Sequence, residues 1–298
     1  MTKFQNIPQF RFLIGCCLLA FLVGCNSTGM PEVSTDGILF YELKGQGKNI
    51  VFLHGILGSH SYWEKVVPEL SQTYQLVLID LLGFGNSPKP KISYTVNEHI
   101  EKINHTITAA IGAHQKVQIV GHSMGAILAL NYAIAYPDQV SRLILINPPM
   151  VTDENDLKQA MEDSSSKMMV TMTFSKIWGK LVCKIHELAP AISYPLIRLL
   201  EPELPPAVAR AAGQHTWESY SGSFQHVLLD QDFYALIAKI PSVPTLIIAS
   251  EHDEFTKTSA LSKLPKRDNL KSVLLPGTHN VLLTDPLKIS KEIKAFIQ

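Results

Sequence analysis

The pentapeptide Gly121-His122-Ser123-Met124-Gly125 limits what this chain can fold into more than any other stretch. It reads G-x-S-x-G. Val117-Gln118-Ile119-Val120 precedes it with the apolar, β-branched pattern of a buried strand, and Ala126 to Ala133 follows with the spacing of a helix. A serine on a sharp strand-to-helix turn projects its hydroxyl outward, and the helix start aims backbone N–H groups at whatever that oxygen attacks. A turn this tight excludes bulk two positions either side of the serine, which accounts for Gly121 and Gly125. The same serine could instead serve only as a helix N-cap.

Around that turn the chain alternates strand and helix signals from Gly37 onward, the pattern of a mostly parallel sheet covered on both faces. Ile38–Leu43, Asn49–Leu53, Gln75–Ile79, Val117–Val120, Leu143–Ile146, Thr245–Ala249 and Ser272–Leu275 read as strands. Val96–Ala113, Lys257–Leu264 and Pro286–Ile297 read as helices. From about 148 to 240 the alternation stops, and apolar residues recur at helical spacing, as at Ile177, Leu181, Ile185 and Leu188. That stretch is expected to be a helical cap inserted into a single domain spanning 37–298. Lys+Arg and Asp+Glu are both 26, so the chain lacks the basic footprint of a nucleic-acid binder.

The N-terminus follows different rules. Lys3 and Arg11 precede an uninterrupted apolar or small run from Phe12 to Gly24, too short to span a bilayer as a helix but suited to the core of a secretory signal. The run ends in Leu22-Val23-Gly24-Cys25, which resembles the lipobox of bacterial lipoproteins. The resemblance implies a signal peptide at 1–24, lipidation of Cys25, and a membrane-anchored protein of the cell envelope. Asn26 after the cysteine favours the outer membrane if the host has two. An ordinary signal or anchor helix is the alternative. Residues 25–36 are polar and turn-rich and read as a tether. Cys16 and Cys17 would leave with the signal, and Cys183 alone cannot form an internal disulfide. Removing Lys3 and Arg11 leaves the mature chain at a net charge of about −2.

A serine hydroxyl becomes a useful nucleophile when a histidine takes its proton and a carboxylate orients that histidine. Asp253 and His279 each fall just past the carboxyl end of a late strand, where parallel sheets gather their active groups. Glu251 and Glu254 compete with Asp253 for the acid role. Asp80, in a glycine-rich turn, reads as an organiser that accepts backbone N–H groups. No phosphate cradle, metal-ligand cluster or cofactor fingerprint is present, so no cofactor or metal is expected.

His54-Gly55, Asp80-Leu81-Leu82-Gly83-Phe84-Gly85-Asn86-Ser87, Gly121–Gly125, Val243-Pro244-Thr245-Leu246 leading to Asp253, and Gly277-Thr278-His279 together resemble the α/β-hydrolase family. The resemblance covers roughly 37 to 298. It implies an α/β fold with an eight-stranded, mostly parallel sheet, its first strand at Pro31–Ser34, and a helical cap after the sixth strand. It also implies a Ser123–His279–Asp253 triad and an oxyanion hole made by the backbone N–H groups of Met124 and Ile56. Within the family the chain is similar to monoacylglycerol lipases, carboxylesterases and C–C bond hydrolases. Aspartate stands at the elbow of dehalogenating and epoxide-opening relatives, so Ser123 argues against those chemistries.

The expected activity is hydrolysis of a small-molecule ester or lipid with an apolar acyl group, because the cap is rich in Met, Leu and Ile, notably Met168, Met169 and Met172. Trp178, Trp217, Phe174, Tyr220 and Phe224 are candidate pocket walls there. A C–C hydrolase or thioesterase with the same triad, or a non-catalytic envelope protein that captures ligands on this fold, are the alternatives.

Overall fold

Apolar runs rich in Val, Ile and Leu become the strands of one sheet in a computed structural model that describes residues 37–151, 154–163 and 176–298. The strands are β1 (Tyr41–Lys44), β2 (Lys48–Leu53), β3 (Tyr74–Ile79), β4 (Val117–His122), β5 (Val140–Ile146), β6 (Thr245–Ser250) and β7 (Leu270–Leu275). Their order is β1-β3-β2-β4-β5-β6-β7. Only β1 runs antiparallel, against β3; the other neighbours are parallel. Every residue of β4 and β6 is buried, whereas the edge strands β1 and β7 are mostly half-buried or exposed. Continuous apolar runs belong to strands covered on both faces, and that is where they fall.

Counting helices of seven residues or more, α1 is Val96–Ile111, α2 Met124–Ala135, α3 Glu154–Asp163, α4 Lys176–Leu188, α5 Pro190–Leu200, α6 Pro206–Ala212, α7 Trp217–Ser223, α8 Phe233–Lys239 and α9 Pro286–Ile297. A π-helical turn, Phe224–Leu229, continues α7. Thr95 and Glu98 form a reciprocal capping box that starts α1, whose Ile100, Ile103 and Ile107 are buried. The sheet divides the apolar residues between two cores. Val51, Leu53 and Ile119 face one core with α2, and Ile50, Phe52 and Val120 face the other with Trp63 and Ile293 of α9.

Some boundaries differ from those the sequence suggests. The first described strand begins at Tyr41 rather than Ile38, and the helix expected over Lys257–Leu264 is confined to Thr258–Leu261. Only Ala260 of that segment is buried, so little packing holds a longer helix there. The strand expected at Pro31–Ser34 lies outside the described residues, as do the signal, Cys25 and the tether. The described sheet therefore has seven strands, and α3 to α8 lie between its fifth and sixth.

The two elbow glycines are required by close backbone approach. A Cβ on Gly121 would collide with the carbonyl of Gly125, and one on Gly125 with the carbonyls of Leu53 and His54 in β2 and just beyond it. Backbone cannot yield as a side chain can. Gly125→Ala is expected to destabilise the fold by about 2–4 kcal/mol, read as a lower urea midpoint at unchanged m-value. An unaltered midpoint would show that the elbow tolerates bulk.

Candidate active site

The carboxyl ends of the parallel strands bring polar residues to one edge of the sheet. His54 follows β2, Asp80 β3, Ser123 β4, Asn147 β5, Asp253 β6 and His279 β7. Ser123 has φ of 53°, a left-handed conformation uncommon for a residue with a side chain. It occupies the N-cap position of α2, but its hydroxyl caps no helical N–H. Instead Ser123 Oγ donates to His279 Nε2 at 2.9 Å. On the other side of the ring, His279 Nδ1–H donates to Asp253 Oδ2 at 3.0 Å and lies 3.1 Å from Oδ1. Three side chains spread over more than half the sequence thus form one hydrogen-bonded line.

Asp253 is fixed in turn. Its Oδ1 accepts the backbone N–H groups of Phe255 at 2.8 Å and Thr256 at 3.2 Å. Burial alone would raise its pKa, but the His279 charge, the His279 hydrogen bond and the two N–H donors outweigh burial and hold the carboxyl below the usual range. For His279 burial disfavours the imidazolium, yet the carboxylate of Asp253 outweighs it and lifts the pKa above 6.5. Glu251 and Glu254 make no hydrogen bond to that ring among the described contacts.

Ile56 lines the cavity over Ser123, and the adjoining Gly55 lies so close that a Cβ there would stand 3.0 Å from Ser123 Cβ and 3.5 Å from its Oγ. Met124 is the first residue of α2, so its N–H belongs to the turn whose donors have no partner within the helix. His54 braces this loop. Its Nδ1–H donates to Gly55 O at 2.7 Å, and Leu81 N–H donates to its Nε2 at 2.9 Å. Complete burial lowers its pKa to about 4, which keeps the ring neutral and able to do both.

Asp80 collects donors as an organiser should. His60 N–H at 2.5 Å and His60 Nδ1 at 2.8 Å bond to Oδ1, and Asn86 N–H bonds to Oδ2 at 2.7 Å. Several supports around His279 have no sequence motif. Asn147, with φ of 44°, donates through Nδ2 to the carbonyls of Thr278 and His279, both at 3.1 Å, and to Ser250 Oγ at 3.0 Å. His122 Nε2–H donates to the His279 carbonyl at 2.9 Å, and its ring stacks on Tyr62. Tyr62 in turn donates to Asn280. Burial depresses His122 to about 3, so it is a neutral strut. Asn147 stood in plain view, as the first polar residue after a buried strand.

Leu57, Leu157, Leu204, Val208, Leu228 and Phe255 give the cavity its apolar walls, with Tyr62 and Glu201 among its polar groups. Of the aromatic candidates, Phe224 lines it; Tyr220 is buried among His215, Trp217 and Phe224, and Trp178 faces solvent. Phe174, Met168, Met169 and Met172 lie outside the described residues. Cys183 packs inside the insertion, where burial pushes its thiol up to about 12 and the sulfur lies 3.4 Å from His215 Nε2. Among the described residues no cluster of three His, Cys, Asp or Glu could hold a metal ion.

Residues 48–168 match the family described as alpha/beta hydrolase fold. A probable lysophospholipase, BODYGUARD 4 of Arabidopsis thaliana, is 38% identical over 42% of this chain and 33% of its own length. The chain thus spans about a third or less of the curated relatives it matches. Among solved structures, E-2-(acetamidomethylene)succinate hydrolase superposes with a TM-score of 0.67 at 21% identity, covering 87% of this chain and 94% of the other. An esterase of Thermogutta terrifontis superposes with a TM-score of 0.66 at 18% identity, covering 87% and 92%. The chain has the α/β-hydrolase fold.

Proposed function

We propose that this α/β-hydrolase-fold protein is a serine hydrolase that cleaves carboxylic esters with apolar acyl groups. The observation that carries the reading is the 2.9 Å hydrogen bond from Ser123 Oγ to His279 Nε2, with Asp253 on the ring's other nitrogen. Ser123 Oγ attacks the acyl carbon while His279 takes its proton. The oxygen of the tetrahedral intermediate gains charge that the N–H groups of Met124 and Ile56 stabilise. His279 then gives the proton to the departing alcohol, leaving an acyl-Ser123 ester. Water, deprotonated by His279, attacks that ester, and the acid leaves as Ser123 recovers its proton. Asp253 stabilises the imidazolium formed in each half and keeps Nε2 free of a proton at the start.

The apolar cavity walls favour an acyl chain over a sugar, and lysophospholipase names among the relatives fit a lipid ester. The lipobox-like Leu22-Val23-Gly24-Cys25 supports a protein tethered to the envelope through acylated Cys25, in the outer membrane where the host has two. A fluorophosphonate probe tests the central reading directly, because it phosphonylates only a serine whose proton a neighbour can remove. Peptide mapping is expected to find the label on Ser123. A well-folded protein that stays unlabelled would favour a ligand-capturing protein with no turnover.

A further inference from the structure

The apolar residues of α4 and α5 point the wrong way for a core. Twelve large hydrophobic side chains are exposed among the described residues, and eight of them fall between Ile177 and Leu200. Ile177, Leu188 and Leu199 are each more than two-thirds exposed, and Trp178 and Ile192 more than half. The inward faces are, by contrast, small or polar: Gly179, Cys183 and His186 on α4, and Ser193 on α5 with Ile197. These inner faces converge, since a Cβ at Gly213 would stand 3.2 Å from Ile197 and 3.7 Å from both His186 Nδ1 and Ser193 Oγ. With their inner faces turned toward Gly213, consecutive helices α4 and α5 each leave an apolar stripe outward. Exposed apolar residues concentrated in this way on two consecutive helices mark an interaction site.

We propose that this face of α4 and α5 docks on the surface of a phospholipid bilayer and is the side of the protein that meets the membrane. Charge is the first argument for that occupant. Residues 176–200 carry Lys176, Lys180, Lys184 and Arg198 against the single acid Glu187, a net charge of +3, whereas the rest of the chain nets −3. Lysines flanking an apolar helix face suit an interface rich in anionic headgroups, and a tryptophan such as Trp178 suits the headgroup boundary. Reach is the second. Only the eleven residues 26–36 lie between Cys25 and Gly37, a reach of about 40 Å at most when fully extended, so, on the acylated-Cys25 reading proposed above, the domain stays close to the bilayer. Continuity with the cavity is the third. Directly after Leu199 and Leu200 the chain runs into Glu201 and Leu204, which line the cavity above Ser123, so a docked face sets one wall of the cavity beside the lipid.

Tryptophan quenching reads the contact without any turnover, so its result is separable from the Ser123 assignment. The full-length chain is added to vesicles of phosphatidylglycerol and phosphatidylcholine whose acyl chains carry bromine, which quenches indole only on contact. Trp178→Phe isolates the signal, because Trp63 is buried and Trp217 is partly so. Trp178 emission is expected to be lost in brominated vesicles, while the emission remaining in Trp178→Phe persists. The triple variant Leu181→Glu, Leu188→Glu, Leu199→Glu changes exposed positions alone; it should unfold at the parent's temperature and abolish the quenching. Trp178 emission that survives in brominated vesicles would overturn the proposal. So would a concentration-dependent dimer that the triple variant dissolves while quenching stays absent, which would assign the face to a second copy.

Discussion

Ser123→Ala is expected to lower kcat for a p-nitrophenyl ester by about 10⁴- to 10⁶-fold, while the protein unfolds within a few degrees of the parent temperature. The chemical term is large because, in the mechanism proposed above, the variant removes the atom that forms the acyl-enzyme. At about 1.4 kcal/mol per decade, that loss corresponds to about 5–8 kcal/mol of transition-state stabilisation. The structural term is small. Alanine keeps the Cβ already accommodated at φ of 53°, so the elbow gains no new strain, and one hydrogen bond to His279 is lost at a net cost of about 1 kcal/mol. Residual turnover would come from substrate held against the remaining N–H donors. Steady-state kinetics and a thermal melt on one preparation check both halves. Loss of activity together with a collapsed melting temperature would mean that Ser123 acts as a structural cap. Unchanged turnover would remove it from the chemistry altogether.

Much of this arrangement was legible before any coordinates, and the reason lies in the sheet. Ser123, Asp253 and His279 each follow an apolar run that reads as a strand, and parallel strands bring such residues to one edge however far apart they are in sequence. Asn147 obeys the same rule, directly after Val140–Ile146, and could have been found by it. It carries no glycine-rich signature and no reactive group, so pattern reading passed over it. The pairing of His60 with Asp80 has no local signal, because twenty residues and a change of element separate them. The insertion was harder for a physical reason. Ile177, Leu181 and Leu188 recur at helical spacing, and periodicity marks an apolar face without saying what covers it. Here the covered face holds Gly179, Cys183 and His186, and the apolar stripe faces out.

Asp253→Asn is expected to lower kcat by about 10⁴-fold with the side chain still in place, and the hydrogen-bond pattern around it gives the cause. Phe255 and Thr256 both donate N–H to Oδ1. In the amide, that position must therefore hold the carbonyl oxygen, since an NH₂ group facing two donors would be repelled. The NH₂ group is left where Oδ2 lay, 3.0 Å from His279 Nδ1. It can only donate there, so Nδ1 must become the acceptor and the ring proton moves to Nε2. The nitrogen that should take the Ser123 proton is then already protonated. The acid limb of kcat/KM moves as well. In the proposed mechanism, protonation of His279 abolishes its base function, and Asp253 holds its pKa above 6.5, so the parent's activity is expected to fall as pH drops through a value on that side. Without the Asp253 carboxylate, burial is opposed only by the weaker pull of Glu254, and the limb shifts to lower pH. Glu254→Gln, which removes a nearby charge but no hydrogen bond to the ring, should leave kcat within about tenfold of the parent. A pH–rate profile for all three proteins decides between roles. If Asp253→Asn lowers stability but leaves the acid limb where it was, Asp253 holds the loop and some other carboxylate orients His279.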